Sequence, residues 1–146
     1  TEELSMLSKH GDIKDLSPVS EISDPARLLE IREEINAVYV SDAVRQYIVE
    51  LVQRTRETPD LEAGASPRAS LSLLRGGRSL AAMNGRDYVT PEDIASIYIP
   101  VTAHRVSISA AARYVRKDAE SILQAILKET PVPPAGAEMF DEGGTQ

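Results

Sequence analysis

Five consecutive residues, Gly64-Ala65-Ser66-Pro67-Arg68, are where side-chain type and spacing in this sequence point to chemistry. Ser66 before Pro67 has the pattern of a helix start, a capping residue and then proline at the first helical position. Arg68 then falls at the second position, inside the positive end of the helix dipole. A cation there costs about 0.3–1 kcal/mol. The same position becomes favourable once an anion docks at the helix start, where free N–H groups point outward. The guanidinium would add a planar, permanently charged fork that matches phosphate oxygens. The alternative is an ion pair from Arg68 to Asp60 or Glu62 in the preceding loop. Arg75 lies seven residues further on and could share the face of Arg68, and Arg78 follows three residues later; a solvated surface is the simple reading of both.

Other chemistries lack their residues. The lysines are Lys9, Lys14, Lys117 and Lys128, and none follows a glycine, so the chain has no phosphate-cradling loop of the G-x-x-x-x-G-K-[ST] type. There is no cysteine, which removes thiol catalysis and Cys-based zinc sites. His10 and His104 are too few and too far apart to suggest a triad or a metal centre, and no metal site is expected. Adjacent acids such as Glu33-Glu34 read as a solvated helix face.

The positioning elements must come from a chain of 146 residues, 42% of them hydrophobic, which suits one domain with a single core. With five Tyr, one Phe and no Trp, that core is mostly aliphatic. A net charge of −7 argues against a nucleic-acid partner. No apolar run approaches the ~18 residues of a membrane span, and no signal-peptide pattern opens the chain. The composition is that of an acidic, cytoplasmic-type domain.

Periodicity and caps predict an all-α bundle of five or six helices. The first candidate runs from Thr1 to Lys9, with Gly11 as its stop. A second opens at Asp24-Pro25 and carries Leu28, Leu29, Ile31 and Ile35. A third starts at Ser41-Asp42, with Val44, Ile48, Leu51 and Val52 as its apolar stripe, Tyr47 at its border, and Thr58-Pro59-Asp60 as its break. The fourth begins at Ser66-Pro67, carries Leu71, Leu74 and Ala81, and ends near Asn84-Gly85. Gly76-Gly77 inside it costs roughly 1 kcal/mol per glycine relative to alanine, which close approach of a neighbouring helix would offset. In the link that follows, Arg86 and Asp87 are expected to serve each other or the next cap. Thr90-Pro91-Glu92-Asp93 starts a fifth helix with Ile94, Ile97 and Val101 facing inward, and Pro100 is expected to kink or interrupt it. His104-Arg105 places positive charge at its end. One short extended segment is predicted at 106–109, and a last helix from Asp118 to Glu129 with Ile122, Leu123, Ile126 and Leu127 inward. From 131 to 146, Pro and Gly predict a flexible tail.

The runs Tyr39-Val40-Ser41-Asp42 and Asp60-Leu61-Glu62-Ala63-Gly64-Ala65-Ser66-Pro67-Arg68-Ala69-Ser70-Leu71 resemble the C-terminal lid of MoxR-type AAA+ ATPases. The resemblance continues through Leu74, Gly85-Arg86-Asp87-Tyr88-Val89-Thr90-Pro91-Glu92-Asp93-Ile94 and Ala103-His104-Arg105, and covers residues 17–130; residues 106–121 match more loosely. Residues 1–16 resemble the end of a preceding α/β subdomain and its connection. The resemblance implies a helical bundle of the AAA+ lid type that closes over ATP held, with Mg2+, by an α/β subdomain outside this sequence. It makes Arg68 the sensor-2 arginine, directed at the γ-phosphate, with Ser66 and Pro67 beside it at the cofactor. It further implies a homo-hexamer, chaperone-like maturation or metal-cofactor insertion of protein complexes, and clients with von Willebrand A domains. The chain by itself would bind no nucleotide and hydrolyse none. The competing expectation is a stand-alone helical protein-interaction module with no nucleotide role.

Overall fold

The computed structural model describes residues 22–134, so the first candidate helix and residues 135–146 of the predicted tail lie outside the described residues. Six α-helices and one small sheet appear among them. Helix α1 spans Pro25–Asn36, α2 Asp42–Glu57, α3 Pro67–Met83, α4 Pro91–Thr102, α5 Ala110–Tyr114 and α6 Ala119–Glu129. Strand β1, Leu61–Ala63, follows α2; a 3-10 turn, Ala103–Arg105, follows α4 and leads to strand β2, Ser107–Ile108. Residues 131–134 have no regular structure.

The chain divides into two units between Arg32 and Glu33, inside α1. The described part of the first unit holds the start of α1, where the Asp24 carboxylate accepts the Arg27 N–H at 2.8 Å. The apolar residues predicted to give α1 a face are not buried: Leu28 and Leu29 are exposed, and Ile31 half-buried.

The second unit carries the core. Strong local signals place its helix starts where the sequence predicts them. The Ser41 hydroxyl accepts the Val44 N–H, and Thr90 with Asp93 forms a reciprocal capping box. Asp118 and Ser121 form another at α6. From α2, Val44, Tyr47, Ile48, Leu51 and Val52 are all buried, so Tyr47 belongs to the stripe rather than its border. They meet Ile94 and Tyr98 of α4 and Leu123 of α6 in one cluster. Each such aliphatic side chain contributes about 1.5–3 kcal/mol by leaving water. Tyr98 is fully buried and its hydroxyl donates to the Leu51 carbonyl at 3.2 Å.

Helix α3 turns a different face inward from the one its large residues suggest. Ala69, Leu73, Gly77 and Ala81 are buried, at a strict spacing of four. Leu71 is exposed and Leu74 only half-buried. Small residues win the inner face because α4 packs close. A Cβ on Gly77 would stand 2.6 Å from Ile94 Cδ1, and one on Gly76 2.8 Å from Ile97 Cδ1. That proximity offsets the helix cost of both glycines, and α3 runs through them unbroken. Pro100 also sits inside its helix, which continues for two further residues before passing into the 3-10 turn.

The extended segment near 106–109 has a partner that the sequence did not reveal. β2 pairs antiparallel with β1, matching Leu61 to Ile108 and Ala63 to Ser107, so that Glu62 is the extra residue of a bulge. The Ser109 N–H adds a bond to the Asp60 carbonyl at 2.9 Å. Helix α5 was likewise not legible beforehand, being a single short turn.

Helices α3 and α5 end in the same way, with different residues. Gly85 has φ +71° and Arg116 φ +60°, each just past the C-cap. In each case the following N–H reaches back to the third residue before the cap, Arg86 to Ala81 and Lys117 to Ala112. A non-glycine residue held there costs about 1–2 kcal/mol. Replacing Arg116 by glycine is therefore expected to raise stability by about 1 kcal/mol, read as a higher denaturant midpoint at unchanged slope.

Candidate functional site

The candidate site is the N-terminal turn of α3, and three elements hold it. β1 delivers the chain as far as Ala63, tied to β2. Gly64 then lies against the last turns of α2: a Cβ there would stand 2.4 Å from the Thr55 carbonyl oxygen and 2.7 Å from Arg56 Cα. No rotamer change relieves a clash with backbone, so Gly64→Ala is expected to cost about 1–3 kcal/mol or more, measurable by urea titration. Beyond it, the Ala65 N–H donates to Thr55 Oγ1 at 2.9 Å, and Arg56 Nε donates to the Ala65 carbonyl at 3.0 Å. The Thr55 hydroxyl in turn donates a hydrogen bond to the Val52 carbonyl at 2.6 Å. Thr55 and Ala65 are fully buried.

From this anchored peptide the helix begins. Ser66 is its N-cap in extended conformation and Pro67 stands at the first position, but the Ser66 side chain accepts no N–H of the first turn. That turn contains no acidic residue either. Arg68 is exposed at the second position, and its guanidinium makes no ion pair among the described residues. The two carboxylates within reach along the sequence are engaged elsewhere. Asp60 binds Lys117 at 2.6 Å, and Glu62 faces Arg113 at 3.6 Å. A permanently charged fork thus stands at the positive end of a helix dipole with no ion-pair partner among the described residues.

The other sequence candidates do not join it. Arg75 is exposed further along α3, and Arg78 is half-buried with its Nε enclosed and without a hydrogen-bond partner. His104 and Arg105 lie exposed in the 3-10 turn, Arg105 Nε donating to His104 Nε2 at 3.1 Å. No group of three or more His, Asp or Glu is placed to hold a metal ion among the described residues, and none of their helices is long and apolar enough to cross a membrane. Sequence reasoning passed over Thr55 and Arg56. The signal was there: Thr55 continues the α2 stripe four residues after Leu51, a polar side chain at a core position just before the break.

At the far end of α3, Arg86 does serve the next cap, through Asp93 rather than Asp87. Its fork grips the Asp93 carboxylate at 2.8 and 2.6 Å and donates to the Tyr88 carbonyl at 3.0 Å. Asp93 is only 6% exposed. Burial pushes its carboxyl up, but hydrogen bonds from Arg86 and from the Thr90 N–H outweigh it, and the net displacement is below the ordinary carboxylate range. The Asp87 carbonyl instead accepts the Tyr39 N–H at 2.7 Å.

Comparison with known proteins agrees with this architecture. Residues 53–126 match the family model of the AAA lid domain. The chain is 34% identical over 130 residues to the uncharacterized protein YeaC of Bacillus subtilis, covering 89% of this chain and 40% of that protein. It is 32% identical over 119 residues to the chaperone MoxR1 of Mycobacterium tuberculosis, covering 75% and 32% respectively. A crystal structure from Cytophaga hutchinsonii, assigned as an ATPase, superposes with a TM-score of 0.76 at 31% identity, over 90% of this chain and 43% of that one. The chain thus spans less than half the length of these relatives. The family-model match over residues 53–126 and these relatives place the chain in the AAA lid domain family, in the group of the MoxR-like ATPases.

Proposed function

We propose that this domain closes over ATP held by an α/β subdomain of the complete protein, and that Arg68 is its sensor-2 arginine, contacting the γ-phosphate. The observation that carries the reading is the exposed Arg68 fork at the second position of α3, with Asp60 and Glu62 already engaged by Lys117 and Arg113. Its donor set fits a phosphate and not a metal: a guanidinium, an uncapped first turn and no carboxylate there. Bound ATP with Mg2+ would supply the phosphoryl group that is transferred to water, and the α/β subdomain would hold the ion. Arg68 would counter the negative charge that builds on the transferring group. It would also make the position of the lid depend on whether the γ-phosphate is present, since the contact exists in one nucleotide state only.

In the same reading, the complete protein is a homo-hexamer in the cytoplasm whose cycle drives chaperone-like maturation of protein complexes, with metal-cofactor insertion and von Willebrand A domain proteins among its tasks and clients. The similarity to a relative named a chaperone supports the chaperone-like role in that statement. The deciding experiment is ATP turnover by the complete protein carrying Arg68→Ala. Loss of turnover with the lid still folded supports the assignment, and full turnover in an assembled, folded variant removes it.

A further inference from the structure

Resting on the sensor-2 reading of Arg68, we propose that Thr55 and Arg56 are positioning residues that aim it. The Arg68 guanidinium has no ion-pair partner among the described residues, so what the lid by itself fixes is the origin of the side chain and its Cα–Cβ direction, through the backbone of the first turn. That backbone is referred to α2 through one peptide unit on each side of Ala65. Thr55 accepts the Ala65 N–H, and Arg56 donates to the Ala65 carbonyl, at 2.9 and 3.0 Å. Two consecutive residues of α2 thereby grip both polar groups of the residue just before the N-cap.

Gly64 closes the device from the other direction, since its contact with the Thr55 carbonyl leaves no room for a side chain. The Thr55 hydroxyl is oriented in turn by the Val52 carbonyl at 2.6 Å, so its lone pair, not its proton, faces Ala65. A valine would fill the same volume in the core. Threonine at this fully buried place is therefore explained by the bond it accepts rather than by packing. Holding the first turn this way fixes the point from which the Arg68 side chain reaches the phosphoryl group, and slack of about 1 Å in such placements costs up to about 10²-fold in rate.

The test uses the complete ATPase and four changes: Thr55→Val, Thr55→Ser, Arg56→Ala and Arg68→Ala. Arg56 is exposed, so its truncation keeps the fold even where Thr55→Val weakens it. The expected result is a loss of kcat of about tenfold in Thr55→Val and in Arg56→Ala, KM for ATP moving by less than about twofold, and recovery in Thr55→Ser, which retains the hydroxyl. In the Arg68→Ala background, Arg56→Ala is expected to cost nothing further, because its effect passes through the missing side chain. Two results overturn the proposal while leaving the sensor-2 reading intact: an equal loss from Arg56→Ala with and without Arg68, or Thr55→Ser as slow as Thr55→Val. Full turnover in Arg68→Ala overturns both together.

Discussion

Arg68→Ala in the complete protein is expected to lower ATP turnover by about 10²-fold, the scale of losing one donor that stabilises transition-state charge. The same change is expected to leave the lid as stable as before, or slightly more stable. Arg68 pairs with no carboxylate among the described residues, and a cation at the second position of a helix works against the dipole by about 0.3–1 kcal/mol. The pairing of lost activity with unchanged or raised stability is what distinguishes a ligand-facing arginine from a structural one. A structural arginine would show the reverse: a lower unfolding midpoint, with turnover following the folded fraction. Denaturant titration of the 146-residue chain and turnover of the complete enzyme read the two halves separately. A fall in stability of more than about 1 kcal/mol would argue that Arg68 has a structural partner and against the phosphate role.

Arg86→Ala is expected to give the opposite pattern, with a destabilisation of about 3–5 kcal/mol, because it leaves the Asp93 carboxylate buried and unpaired. The pH dependence has a definite sign. In the intact chain the Asp93 carboxyl lies below its ordinary value, so the pair contributes in full above about pH 4 and is lost as the pH falls through the lowered value. In Arg86→Ala the chief lowering partner is gone, and burial, which pushes the carboxyl up, is opposed only by the Thr90 hydrogen bonds, so less stability depends on the charged form. Acidification then weakens the variant less than the parent. The two stability curves, measured by urea midpoint, are expected to converge as the pH falls below about 4. A gap that stays constant between neutral and acid pH would mean that Arg86 acts through its bond to the Tyr88 carbonyl and its packing, not through Asp93.

Both predictions separate what is local in this chain from what is not. Helix starts are local. Ser41, Thr90-Pro91-Glu92-Asp93 and Asp118 announce theirs within a span of four residues, and the structure places caps at each. The stripe of α2 was legible for the same reason: large apolar residues at helical spacing with polar residues between them. The exposed turn that carries Arg68 was legible too, since Ser66-Pro67 fixes where α3 begins.

The inner face of α3 was legible only in part, at Ala81 and in the close approach expected at Gly76-Gly77, because small residues such as Ala69 and Gly77 carry almost no hydropathy signal of their own. Their burial follows from the approach of α4, which the side chains of Ile94 and Ile97 decide. β1 was hidden because a three-residue strand has no period to read, and its partner lies more than forty residues away. The grip of Thr55 and Arg56 on Ala65 spans nine or ten residues across a helix end and a strand.

The sequence by itself determined the five longer helices, their starts and the placement of a cation at the positive end of α3. Only the tertiary structure decided that this cation stands unpaired among the described residues. Asp60 is claimed by Lys117, fifty-seven residues away, and Glu62 by Arg113 from α5. Helix dipoles and caps act over one turn and can be read along the chain. Which carboxylate meets which cation depends on how distant segments fold together, and no spacing rule along the sequence reports that.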